Sequence, residues 1–315
     1  MPTAPRPGDG SPETTPLVAR AHESIAAATA MDAVTLLVGD LDRQLRYYRD
    51  VLALDVLADP GDRIEGATRP DVVTLGRGGR PLVVLRHTPD LPPASRGAAG
   101  LFHTAILFDD RAGLAATLAS VARHAPQTYV GSADHLVSLA FYLTDPEGNG
   151  VELYWDRGRD EWRHAADGTV VMDALRLDPN AFLGEHLTDA SLETPASGDA
   201  VVGHVHLQVG DVPTARAFYV DTLGFDVTAS WHGALFVSAG GYHHHLAMNT
   251  WNSAGAGPRA SSLGLGEVRI ALPTADDLGA LGARLAHAGV PVADDGVTLR
   301  FEDPWRNVVQ VAVPA

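Results

Sequence analysis

Apolar and polar positions along the chain repeat one rhythm four times. A short run of alternating apolar residues, the pattern of a half-buried strand, leads into a helix of about three turns and then a β-rich stretch. Two copies share their sequence as well as their order. Val38-Gly39-Asp40-Leu41 leads through Tyr47-Tyr48-Arg49-Asp50-Val51-Leu52, and Val209-Gly210-Asp211-Val212 leads through Phe218-Tyr219-Val220-Asp221-Thr222-Leu223-Gly224-Phe225. In both, Asp stands at a helix N-cap, and Pro213 sits where a first helical turn tolerates it. Residues 101–155, with a helix expected near 112–121, and residues 265–313, with a helix near 275–288, repeat the order in weaker sequence. The pattern predicts an α+β fold of four βαβββ modules, at 31–87, 100–156, 202–251 and 264–315.

Grouped in sequence order, the modules make two domains, 31–156 and 202–315. Residues 88–99 and 252–263 are loops by composition. Residues 157–201 read as a linker with a short helix, because several leucines stand at helical spacing. Residues 1–30 read as a disordered or extended leader. They lack a basic start followed by an apolar core, and no run of eighteen apolar residues occurs, so a cytoplasmic protein without a membrane span is expected.

Composition removes whole classes of chemistry. All 23 basic residues are arginine, so Schiff-base catalysis and a P-loop lysine are excluded. Cysteine is absent, so no thiolate nucleophile, iron–sulfur cluster or Cys-type zinc site can form, and any metal must be held by His and carboxylates. A net charge of −16 speaks against nucleic acid and anionic membranes as partners.

Fourteen histidines remain, and a lone His is more often a surface or satisfied core residue than a ligand. Position within the repeat changes that weighting for two of them. His103 lies seven residues before Asp110, and His204 seven before Asp211, in the opening strands of modules two and three. Ala33 and Glu267 take that place in modules one and four, which suggests one metal site per chain. The third candidate is Glu152, in the otherwise apolar last strand of module two; module four has Gln310 there. Two His and one carboxylate with open positions suit non-haem Fe(II) and O₂ chemistry, and Mn(II) fits similarly. In the run Gly240-Gly241-Tyr242-His243-His244-His245, read as a strand, the repeat aligns His244 with Glu152 and turns it into the same cup. If the strand phase is off by one, His206, His243 and His245 are the alternates.

At these residues the sequence resembles the vicinal oxygen chelate (glyoxalase/bleomycin resistance/extradiol dioxygenase) superfamily. Within it, the chain is most similar to the two-domain extradiol (catechol 2,3-) dioxygenases of the bacterial CatE-like group. The resemblance is carried by Gly203-His204-Val205-His206 with Phe218-Tyr219, by residues 236–245, and by Asp134-His135-Leu136-Val137-Ser138 with Tyr142 and Glu152. It implies two vicinal-oxygen-chelate domains with cup-shaped mixed sheets, metal ligands His103, His204 and Glu152, His244 as acid/base, and His135 and Tyr142 as hydrogen-bond donors to substrate. It further implies an iron-dependent oxidoreductase of aromatic compound degradation that takes a small aromatic diol and O₂. Alternatives are a glyoxalase-like isomerase or lyase using Ni, Zn or Co on the same positions, and a metal-free protein binding an aromatic ligand or antibiotic. In the usual extradiol chain these features come from modules three and four, whereas here they fall in two and three. If modules pair one with two and three with four, a homo-oligomer would have to complete the site.

Overall fold

The computed structural model describes residues 24–57, 71–196 and 198–314. Of the expected leader, residues 1–23 lie outside the described residues. Ile25 is buried and its N–H donates to the Gly224 carbonyl, so residues just before the first strand pack onto module three.

Every module starts its helix on an oxygen cap. Asp40 accepts from Arg43 N–H, Asp110 from Gly113 N–H, Asp211 from Thr214 N–H and Thr274 from Asp277 N–H. The helices Arg111–His124 and Ala275–His287 match their predicted positions. In modules one and three the α-helix is short (Leu41–Arg46 and Val212–Arg216) and passes into a π-helical turn, Tyr47–Val51 and Ala217–Thr222. Each wide turn buries a tyrosine whose O–H donates to a carboxylate of the following module: Tyr48 to Asp145 (3.1 Å) and Tyr219 to Asp303 (2.9 Å). Burial raises the pKa of both carboxyls, against the pull of donors from their own turns, Asn149 and Asn307 included.

The strands are β1 (Ala30–Val38), β2 (Asp55–Leu57), β3 (Val72–Arg77) and β4 (Arg80–His87) in module one. Module two has β5 (Gly100–Phe108), β6 (Tyr129–Asp134), β7 (Ser138–Thr144) and β8 (Gly150–Asp156). The connection adds β9 (Leu175–Arg176) and two helices, Pro179–His186 and Asp189–Glu193. Module three has β10 (Ala200–Gln208), β11 (Asp226–Trp231), β12 (Ala234–Ser238) and β13 (Leu246–Asn249). Module four has β14 (Gly264–Ala271), β15 (Val292–Asp294), β16 (Thr298–Glu302) and β17 (Val308–Ala312).

These strands form two curled mixed sheets, ordered β15-β16-β17-β14-β1-β4-β3-β2 and β11-β12-β13-β10-β5-β8-β7-β6-β9. Module one therefore shares a sheet with module four, and module two with module three. The sheets do not follow the grouping by sequence order, because the opening strands pair in nested fashion, β1 with β14 and β5 with β10, both antiparallel. The Tyr48–Asp145 and Tyr219–Asp303 bonds join modules that are neighbours in sequence but sit in different sheets. Strand alternation then divides the side chains. Ile106, Val205, Leu207, Val151, Leu153, Val34 and Val268 enter one continuous apolar core with residues of both sheets, leaving the alternate positions to line a cup in each sheet.

Candidate metal centre

Glu152, Ala105 and His204 stand in a row across three adjacent strands. Ala105 is the parallel neighbour of Glu152 on β8 and the antiparallel neighbour of His204 on β10. Two strand spacings separate Glu152 from His204, close to 10 Å of backbone. Their side chains meet above Ala105, which is fully buried and has only a methyl group to offer. His103, two residues earlier on the same face of β5, completes the group. Its Nε2 lies 2.9 Å from Glu152 Oε2; His204 Nε2 lies 3.3 Å from the same oxygen, and the two nitrogens are 3.3 Å apart. All three side chains are buried, and together they could hold a metal ion. The open question of pairing has its answer in one chain, since modules two and three share a sheet.

The charges suit a cation. Burial resists ionisation of Glu152, but the charges and hydrogen bonds of the facing imidazoles outweigh it and hold the carboxyl well below its usual range. Burial pushes His204 down to about 4, with Glu152 opposing. At neutral pH these two side chains are a carboxylate and a neutral imidazole, the protonation states a metal requires. Gly203 clears the neighbouring ground. A Cβ there would fall 1.7 Å from the Tyr154 hydroxyl, which packs over the strand and shares a 2.8 Å hydrogen bond with Tyr242.

Residues 243–245 lie in a turn before β13 rather than in a strand, and this corrects the expected alignment. By register, His206 pairs with Ala247 as Ala105 pairs with Glu152, so Ala247 holds the place assigned to His244. Gly240, in the left-handed region at φ 60°, starts the turn where a Cβ would meet the Ala27 carbonyl at 2.2 Å. The turn nevertheless delivers His244 to the same cup, its ring centroid 4.0 Å from that of His204. His244 Nδ1 is 2.8 Å from His243 Nδ1, and His243 Nε2 is 2.9 Å from Asp156, which also accepts from the Tyr242 hydroxyl. With His243 donating to Asp156, its Nδ1 accepts from His244, and His244 Nε2 is left without a protein partner among the described residues. Burial holds His244 well below its usual pKa, so this ring is neutral.

Of the remaining candidates, Tyr142 is the antiparallel neighbour of Glu152, and its hydroxyl lies 2.5 Å from His135 Nε2. His135 Nδ1 donates to the Asp173 carbonyl at 2.7 Å. Asp134 faces away, in a two-point pair with Arg157. His206 lines the cup and accepts from Asn249 Nδ2 at 2.9 Å, while His245 turns back to accept from Ala239 N–H. His103, His135, His204, His206, His244 and Glu152 line a cavity of about 540 Å³ whose walls also include Phe102, Val137, Met172, Trp231, Phe236 and Trp251. Sequence reasoning missed these walls. Met172 and the Asp173 carbonyl come from the connection 157–201, whose polar composition gave no sign that it covers a site.

Paired βαβββ modules that close a sheet into a cup around two histidines and a carboxylate define the class. The chain belongs to the Glyoxalase/Bleomycin resistance protein/Dioxygenase superfamily, whose family model matches residues 30–153 and 201–311. It is 36% identical over 287 residues to the catechol-2,3-dioxygenase of Bacillus subtilis (strain 168), covering 89% of this chain and 96% of that one. Its fold is similar to a crystal structure from Bacillus subtilis subsp. subtilis str. 168 with a provisional dioxygenase assignment (TM-score 0.60, 13% identity, 92% and 86% of the two chains). It is also similar in fold to glyoxalase I from Zea mays (TM-score 0.52, 15% identity, 91% and 92%). The protein is an oxidoreductase enzyme of dioxygenase type. Among the described residues no helix is long and apolar enough to cross a membrane.

Two outcomes follow from this geometry. Ala105→Leu drives a branched side chain between Glu152 and His204; metal titration should show binding lost while far-UV circular dichroism is retained, with overpacking costing about 1–3 kcal/mol of stability. Unaltered metal affinity would mean that the two heads do not need the gap. The metal-free protein should lose stability as pH falls from about 6.5 towards 4, because unfolded His binds a proton near 6.5 while His204 resists until about 4 and His245 until about 3. Each such ring contributes a slope of up to about 1.4 kcal/mol per pH unit in that window. A melting temperature that stays level across it would show that these rings protonate in the folded state.

Proposed function

We propose that the protein is an Fe(II)-dependent extradiol dioxygenase that cleaves catechol or a substituted catechol beside its hydroxyls. The observation that carries this reading is the convergence of His103, His204 and Glu152 in the wall of an aromatic-lined cavity, with His244 alongside. Bound by these three residues, iron would supply adjoining positions for the substrate oxygens and O₂ and a path for electrons between them; Mn(II) suits the same donors.

The chain's own groups supply the rest. Phe102, Trp231 and Trp251 give a flat ring apolar faces to stack on and exclude water from it. The Asp156–His243 chain fixes the His244 proton on Nδ1, leaving Nε2 as the base for a substrate hydroxyl. The contact of His135 Nδ1 with the Asp173 carbonyl orients the ring so that Nε2 meets the Tyr142 hydroxyl, and this pair stands beside Glu152 to hydrogen-bond a substrate oxygen. That pair supports ring cleavage over enediolate chemistry on the same ligands.

The test is anaerobic purification with metal analysis, followed by mixing the Fe(II) protein with catechol in air and following the yellow ring-opened product. Colour that requires iron supports the reading. Bound Ni, Zn or Mn with no colour overturns it in favour of a glyoxalase-like enzyme, and no metal at all in favour of a binding protein. Glu152→Gln should lower metal content and activity together. His244→Ala should retain metal and slow turnover by about 10² to 10⁴; loss of bound iron in that variant would make His244 a ligand instead.

A further inference from the structure

The other sheet has a cup of its own, built by modules one and four, with a volume of about 680 Å³. Register maps one cup onto the other. Thr35 pairs with Glu267 as His206 pairs with His103, and Arg269 pairs with Gln310 as Ala105 pairs with Glu152. The three metal-type donors His103, His204 and Glu152 are replaced by Glu267, Ala33 and Gln310, and Thr35 stands in the place of His206. Five arginines surround them: Arg86, Arg259, Arg269, Arg300 and Arg306.

In a chain of net charge −16, this cup gathers five guanidinium groups against two carboxylates, Glu267 and Glu302. Glu267 is taken up by Arg269 (3.1 Å) and Arg300 (3.0 Å). Arg259 donates to the backbone carbonyls of Leu265 and Arg306. The side chains of Arg86 and Arg306 form no ion pair or hydrogen bond among the described residues.

Two independent features mark the cup as built for a ligand. Thr35 lines it, is 3% exposed, and its hydroxyl has no hydrogen-bond partner, a cost that a bound acceptor would remove. Arg306 holds the left-handed conformation at φ 62°, where the matching turn of module two has Gly148 at φ 89°. Keeping arginine there costs about 1 kcal/mol relative to glycine, and it sets a guanidinium on the rim.

We propose that this second cup binds a small oxyanion of charge −2, a dicarboxylate or a phosphate, between Arg86 and Arg306 with Thr35 at its base. Arginine forks bind both anion types in two-point fashion. The site is separate from the metal cluster and does not depend on the reaction proposed there.

The experiment is calorimetric titration of the full chain with succinate and, separately, inorganic phosphate, at constant ionic strength. Saturable binding at one site per chain is expected, and whichever probe binds more tightly identifies the anion class. Arg86→Gln combined with Arg306→Gln should weaken it about tenfold or more, as loss of charge-assisted hydrogen bonds does, with ring-cleaving activity unchanged. Thr35→Val should weaken it by a smaller factor. The proposal is overturned if neither probe saturates, if the double variant binds like the parent, or if binding disappears only when metal is stripped from the protein.

Discussion

A carboxylate that is 2% exposed cannot stay charged without close partners, and Glu152 organises its surroundings on that account. The partners are the Nε2 atoms of His103 and His204, which reach it only because β5 lies between β8 and β10 and because Ala105 leaves space above the middle strand. Buried imidazoles and an ionised carboxylate left without a cation are a costly cluster, and a bound metal relieves that cost. Stability is thus given up at the cluster that could hold a metal ion. The Tyr154–Tyr242–Asp156–His243–His244 hydrogen bonds serve the same end, holding the turn at residues 240–245 against the cup.

The two cups show how one scaffold carries different chemistry. Architecture rests on features present in both halves: the capped helices, the π-turn tyrosines, and the Asp-Pro turns that receive them at Asp145 and Asp303. The capping side chains, Tyr48, Tyr219, Asp145 and Asp303 do not line either cup. The cup positions are therefore free to diverge, to His103, His206 and Glu152 in one sheet and to Glu267, Thr35 and Gln310 in the other. A constant back and a variable front is a direct result of the two-residue period of a strand.

Much of this was readable in order along the chain. Alternating runs located the strands, Asp and Thr caps located the helices, and a seven-residue spacing singled out His103 and His204. The turn at residues 240–245 was not readable as such, because three consecutive histidines between apolar residues satisfy a strand pattern as well as a turn. Only the ladder register, with Ala247 in the place matching Glu152, separates the two. The connection 157–201 was misleading in a different way. Its polar surface faces water, while Trp162, Val170 and Met172 pack inward, too widely spaced to form a periodic signal.

By itself the sequence determined which atoms were on offer: no lysine, no cysteine, histidines and carboxylates for any metal, and four modules of one design. Tertiary structure alone decided which modules share a sheet. All four opening strands are apolar, alternating and able to pair edge to edge, so local pattern carries no preference among partners. Nesting two with three and one with four places the apolar backs of both sheets in one core, and this long-range burial brings His204 to a glutamate 52 residues away.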